Sequence, residues 1–196
     1  MKRVLLGLLG LAAAACAGAH RDDGMPAGVG PLVVVYKAAI DDGRGVVRRA
    51  RLSLWAERPD RLHAELIAPV GGVAFILDAG GGNACIVDVA AATSYVGEDG
   101  PGAIEALVGV RVSVADAVEA LLHGASPQGL VVTRAGGADG ALPETIRIAD
   151  GARSLVLDRL RFERGNTDPR ALGTGIPPKR LPVRPIESLA RSGGDR

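Results

Sequence analysis

Arg51-Leu-Ser-Leu-Trp-Ala-Glu-Arg-Pro-Asp-Arg-Leu-His-Ala-Glu-Leu-Ile-Ala-Pro-Val-Gly-Gly-Val-Ala-Phe-Ile-Leu-Asp78 contains parts of three alternating runs and two turn signals. In the run 46–57, Val46, Ala50, Leu52, Leu54 and Ala56 fall on one face, interrupted by Arg48. Val47, Arg49, Arg51, Ser53, Trp55 and Glu57 fall on the other. A period of two residues is that of a β-strand with one face toward a core. Arg58-Pro59-Asp60 makes a turn, and 61–68 returns as a strand. Pro69-Val70-Gly71-Gly72 forms a loop before a third strand, 73–78. Short runs joined by such turns predict antiparallel neighbours.

The same reading extends outward. Upstream, 32–40 is rich in Val and ends at the turn signal Asp41-Asp42-Gly43. Downstream, Gly80-Gly81-Gly82-Asn83 leads into 84–89, and 93–97 is a shorter strand. The period then changes. Ile104, Leu107 and Val108 have helical spacing after Pro101, which suits a first helical turn. Val114, Ala117, Val118, Leu121 and Leu122 make a second apolar stripe, with Ser113 and Asp116 as a capping box and Gly124 as a stop. Strands resume at 130–134, 145–148 and 154–162, and the remainder from Gly165 holds five prolines and little periodicity. The predicted fold is mainly β with two helices: a curved antiparallel sheet forming an incomplete barrel, closed by an α-helical lid.

The first residues are of another kind. Lys2 and Arg3 precede an apolar stretch, 4–11, which is too short to span a bilayer and has the layout of a secretory signal. Ala13-Ala14-Ala15-Cys16 resembles the lipobox of bacterial lipoproteins, with Ala13 where leucine is common. That resemblance implies cleavage before Cys16, acylation of its thiol, and a lipid anchor at the periplasmic face of the outer membrane, since Ala17 and not Asp follows. Ordinary cleavage within the alanine run is the plainer alternative. The expected organisation is a signal peptide at 1–15, lipidated Cys16 with a flexible tether to 31, a domain at 32–164, and a proline-rich tail at 165–196.

Composition removes several function classes. The 196 residues carry 23 Lys and Arg against 22 Asp and Glu, and only 3% are aromatic. That balance gives no electropositive face for a nucleic acid and too few rings for base stacking. Cys85, alone once Cys16 is modified, reads as a small strand residue. His20, His63 and His123 have no metal-ligand spacing. His63 and Glu65 share a strand face, either as a proton-transfer pair or, more plainly, as a solvated surface. The glycine runs lack phosphate-loop syntax, and no serine sits in a nucleophile elbow. Arg48, Arg49 and Arg51 form a basic cluster suited to lipid head groups or simply to solvent. No catalytic residue, metal or cofactor is expected.

Residues 51–78 resemble the outer-membrane lipoprotein receptor family LolB, of the LolA/LolB superfamily. The shared pattern is a strand ending in Trp55, a turn with Asp60-Arg61, a strand, Pro69-Val70-Gly71, and a further apolar strand. Leu107-Val108-Gly109, the stripe at 114–122 and Leu142-Pro143 before two closing strands extend the likeness over 32–163. The resemblance implies a half-barrel whose cavity accepts acyl chains of lipoproteins from a periplasmic carrier. It also implies a membrane-insertion loop at Pro69, Val70 and Gly71; a monomer is the expected working unit. Leu52, Leu54, Leu62, Leu66, Val73, Phe75 and Leu77 suit the cavity lining; equally, they pack against Val118, Leu121 and Leu122 as a dry core. The chain departs from the family in lacking a helical segment before the first strand, in having valine for the usual loop leucine, and in its tail. The alternative reading is a structural or assembly lipoprotein that binds a protein partner in the cell envelope.

Overall fold

A computed structural model describes residues 31–122, 127, 129–137, 142–164 and 181–192. The signal peptide, Cys16, the tether up to residue 30, His20, His123, Gly124 and most of the proline-rich tail lie outside the described residues. Six strands come first: β1 (Leu32–Asp41), β2 (Val47–Glu57), β3 (Arg61–Ile67), β4 (Val73–Gly80), β5 (Asn83–Asp88) and β6 (Thr93–Glu98). Two helices follow, α1 (Pro101–Val108) and α2 (Val114–Leu122). The chain then adds β7 (Val131–Ala135), β8 (Thr145–Asp150), β9 (Arg153–Arg164), β10 (Val183–Pro185) and α3 (Glu187–Ser192).

All ten strands form one open, curved sheet in the order β10-β6-β5-β4-β3-β2-β1-β9-β8-β7. Consecutive strands β1 to β6 pair as an antiparallel meander, and β9 closes on β1. The register fixes two faces. Val34, Tyr36 and Ala38 meet Leu54, Leu52 and Ala50 across β1–β2, and Leu52, Leu54 and Ala56 meet Leu66, Ala64 and Leu62 across β2–β3. This is the core face, since a side-chain period of two admits only one register that buries every aliphatic position. α1 and α2 bury Ile104, Val108, Val114, Ala117, Val118 and Leu121 with it in one apolar cluster.

The local signals act as their chemistry requires. Pro101 opens α1, and Gly109 closes it at φ +75°, donating its N–H to Glu105 O at 2.9 Å. At α2, the Asp116 N–H donates to Ser113 Oγ at 3.1 Å, and the Ser113 hydroxyl donates to Asp116 Oδ2 at 2.7 Å.

One part differs from the sequence expectation. Residues 181–192 contribute a strand and a helix where no regular element is predicted, and β10 runs parallel to β6. The sheet is therefore mixed and not purely antiparallel. Gly97 permits this close approach: a Cβ there would stand 3.2 Å from Ile186 Cβ and Cγ2. Ile186 and Leu189 are buried in the core cluster, and their apolar contacts hold a strand too short to be stable on pairing alone.

Candidate functional site

The strands end unevenly. β3 stops at Ile67, opposite Arg51, while β1 and β2 continue together to Asp41 and Val47. The hairpin of β1 and β2 thus overhangs the β3–β4 loop. Its turn is held by Asp41 Oδ1 and Asp42 Oδ1, which accept the N–H groups of Gly43 and Arg44 at 2.9 and 2.8 Å. The Arg44 N–H bond draws the exposed Asp42 carboxyl below the ordinary carboxylate range. Beside the overhang, the β3–β4 loop closes on itself: Gly71 N–H donates to Ala68 O at 2.9 Å, and Ala68 N–H to Gly72 O at 3.0 Å. Gly71 and Gly72 take φ of +90° and +84°, which glycine adopts without a Cβ clash. The result presents Val70 to solvent, 97% exposed.

A pocket of about 280 Å³ opens beside this loop on the core face. Ile40, Leu66, Phe75, Ala106, Leu107 and Leu189 supply apolar walls, Ala50, Ala68, Pro69 and Ala74 leave the room, and Arg48 and Arg49 mark its polar edge. The volume lies just below the roughly 300–1,000 Å³ usual for small-molecule sites. Deeper in, between sheet and helices, lies a void of about 60 Å³. Leu107 lines both spaces.

The expected site residues divide between these places. Leu52, Leu54, Leu62, Leu77 and Leu121 line the deep void; Leu66 and Phe75 line the outer pocket. Val118 is fully buried in the core, and Leu122 packs on the cluster half-buried. Val73 is also half-buried and borders neither space. Pro69 lines the outer pocket, whereas Val70 and Gly71 line a second depression behind the loop. Sequence reasoning missed Ile40, Ala50, Ala106, Leu107 and Leu189 as lining. Leu107 stood on a recognised helical stripe and was available; Leu189 followed no period, because only its tertiary placement brings it there.

The opposite face of the sheet carries the ionisable groups. His63 Nδ1 lies 2.5 Å from Asp78 Oδ1, and its Nε2 lies 3.6 Å from Glu65 Oε1. The hydrogen bond to Asp78 raises the imidazole pKa above its ordinary value, against the opposing effect of burial. Next to Asp78 in register is Cys85, whose thiol is pushed up to about 11 by burial. A buried, neutral thiol is a poor nucleophile. On the core face the Tyr36 hydroxyl is buried with no hydrogen-bond partner among the described residues, and burial raises it to about 12. Among the described residues no cluster of three His, Cys, Asp or Glu could hold a metal ion, and no helix is long and apolar enough to cross a membrane. Neither a protein-family model nor a curated protein sequence matches the chain.

Proposed function

We propose that the protein is a LolB-like lipoprotein, anchored at the periplasmic face of the outer membrane through Cys16. It binds acyl chains non-covalently in the pocket beside the β3–β4 loop, accepts lipoproteins from a periplasmic carrier, and passes them to the membrane. The observation that supports this reading is a solvent-facing Val70 in the same loop whose Pro69 lines an apolar pocket. Burying the valine side chain in lipid contributes roughly 1.5–3 kcal/mol, enough to bias delivery but not to anchor the molecule. α1 and α2 act as the lid of the half-barrel, with Leu107 between the outer pocket and the deep void.

Mass spectrometry of lipid co-purified with the chain tests the first step: a stoichiometric acyl species is expected, and a lipid-free protein that also fails to take up fatty acid refutes it. In cells, depletion should leave other lipoproteins on their carrier; an unchanged distribution removes the receptor role. One observation favours a second reading, an assembly lipoprotein that binds a protein partner. The deep void of about 60 Å³ is smaller than the roughly 150 Å³ of an apolar cavity that takes up benzene, so the interior proper is close to dry packing.

A further inference from the structure

Behind the β3–β4 loop, on the face away from the pocket, lies a groove of about 460 Å³ lined by Lys37, Arg49, Arg51, Ile67, Val70 and Leu160. Among the described residues three cations and no carboxylate line it. The strand pairing gathers the charges: Lys37 on β1 is opposite Arg51 on β2, and Arg49 follows two residues earlier on the same face. All three are exposed, and among the described residues none is joined to a carboxylate by an ion pair. Two acids on this face have other partners. Asp158, opposite Lys37 on β9, accepts the Thr145 hydroxyl at 3.0 Å, and Glu65 is directed toward His63. Arg48, one residue along from Arg49, points to the other side and edges the apolar pocket. The loop therefore separates an apolar depression from a basic one, with Arg49, Ala50, Ala68 and Pro69 lining both.

We infer that this groove is a docking surface for a membrane rich in anionic phospholipid, in which Lys37, Arg49 and Arg51 meet head-group phosphates while Val70 enters the acyl region. The inference rests on the lipid-delivery reading above and adds the class of lipid surface that the same loop meets. Charge complementarity selects the occupant. Three cations without an ion pair among the described residues, beside an exposed aliphatic, match a surface that is anionic outside and apolar immediately beneath. Arginine forks also bind phosphate oxygens in pairs, which orients the pocket mouth toward the bilayer as well as attracting it.

The test uses the full chain carrying Val70→Cys labelled with an environment-sensitive fluorophore, mixed with vesicles of phosphatidylcholine alone or of phosphatidylcholine with phosphatidylglycerol. The chain also carries Cys16→Ser, which removes the other label site and any lipid anchor, and buried Cys85 is protected from the label. A blue shift is expected on the anionic vesicles, weakening with added salt as the Debye length shortens. Each of Lys37→Gln, Arg49→Gln and Arg51→Gln should lower the inserted population about fivefold, and the triple variant about a hundredfold. Circular dichroism of each variant establishes that the sheet is intact. Equal blue shifts on both vesicle types, unaffected by the triple variant, would overturn the groove's role. No shift on either vesicle, in a chain that still takes up fatty acid, overturns docking and leaves the acyl-binding reading standing. A charge-dependent response to an acidic polypeptide without any response to vesicles also overturns it, making the groove a protein-binding surface.

Discussion

The deep interior and the pocket beside the β3–β4 loop are lined from the same sheet face, yet one is nearly filled and the other is open. Side-chain size and cover separate them. Leu52, Leu54, Leu62 and Leu77 face Val108, Val112 and Leu121 across the interior, so large aliphatics meet large aliphatics. At the open end, Ala50, Ala68, Ala74 and Ala106 stand among fewer large residues, and among the described residues of the C-terminal part Leu189 alone covers it. An alternating strand pattern tells which face is apolar, but the residues on the facing helix decide whether that face becomes core or cavity.

The largest expected effect breaks the packed side of this contrast. Leu77→Ala, at a position 2% exposed, should destabilise the fold by about 2–5 kcal/mol, measured by urea unfolding, because the neighbours only partly close the space left behind. The same variant enlarges the deep void, so bound lipid should rise per folded molecule if the interior is part of the site. Filling the open side does the converse. Ala106→Phe should weaken fatty-acid binding tenfold or more, equivalent to about 1.4 kcal/mol, with little change in Tm; unchanged affinity would place the ligand elsewhere. Ser113→Ala removes the α2 cap and should cost about 1 kcal/mol in the same unfolding assay.

Two smaller effects concern the outer face. Because the folded-state pKa of His63 is raised, its stabilising contribution is complete below the unfolded value near ~6.5 and fades as pH climbs through the folded value. Unfolding measured from pH 6 to 8 should show stability falling, and Asp78→Asn should flatten that slope. Cys85, held neutral up to about pH 11, should resist thiol reagents in the native protein and react on unfolding; rapid native labelling would mean that the outer face opens.

Much of the architecture could be read from residue pattern. The alternation around Leu52 and Leu54 gave a strand, the Ser113–Asp116 pair marked the start of α2, and both lie where the pattern placed them. What escaped reading was C-terminal. Val-Arg-Pro at 183–185 carries no alternation, and its attachment depends on Gly97 making room for Ile186, a contact between residues 89 positions apart. The candidate site was half legible for the same reason. Leu66 and Phe75 announced their face through the strand period, whereas the role of alanines is to be absent from a volume, which no periodicity records.

β1 begins at Leu32, at the end of the sheet remote from Val70, and this sets a length requirement on any anchor at Cys16. Strand geometry places the loop about 25–30 Å from Leu32. The fifteen residues 17–31 span at most about 50 Å when extended. If Cys16 carries the proposed anchor, Val70 can reach the same bilayer only with the body turned back toward it, which leaves about 20 Å of that length to spare. Deleting a few residues of that stretch should be harmless; deleting more than about six should leave cargo capture intact while stranding the loop above the membrane.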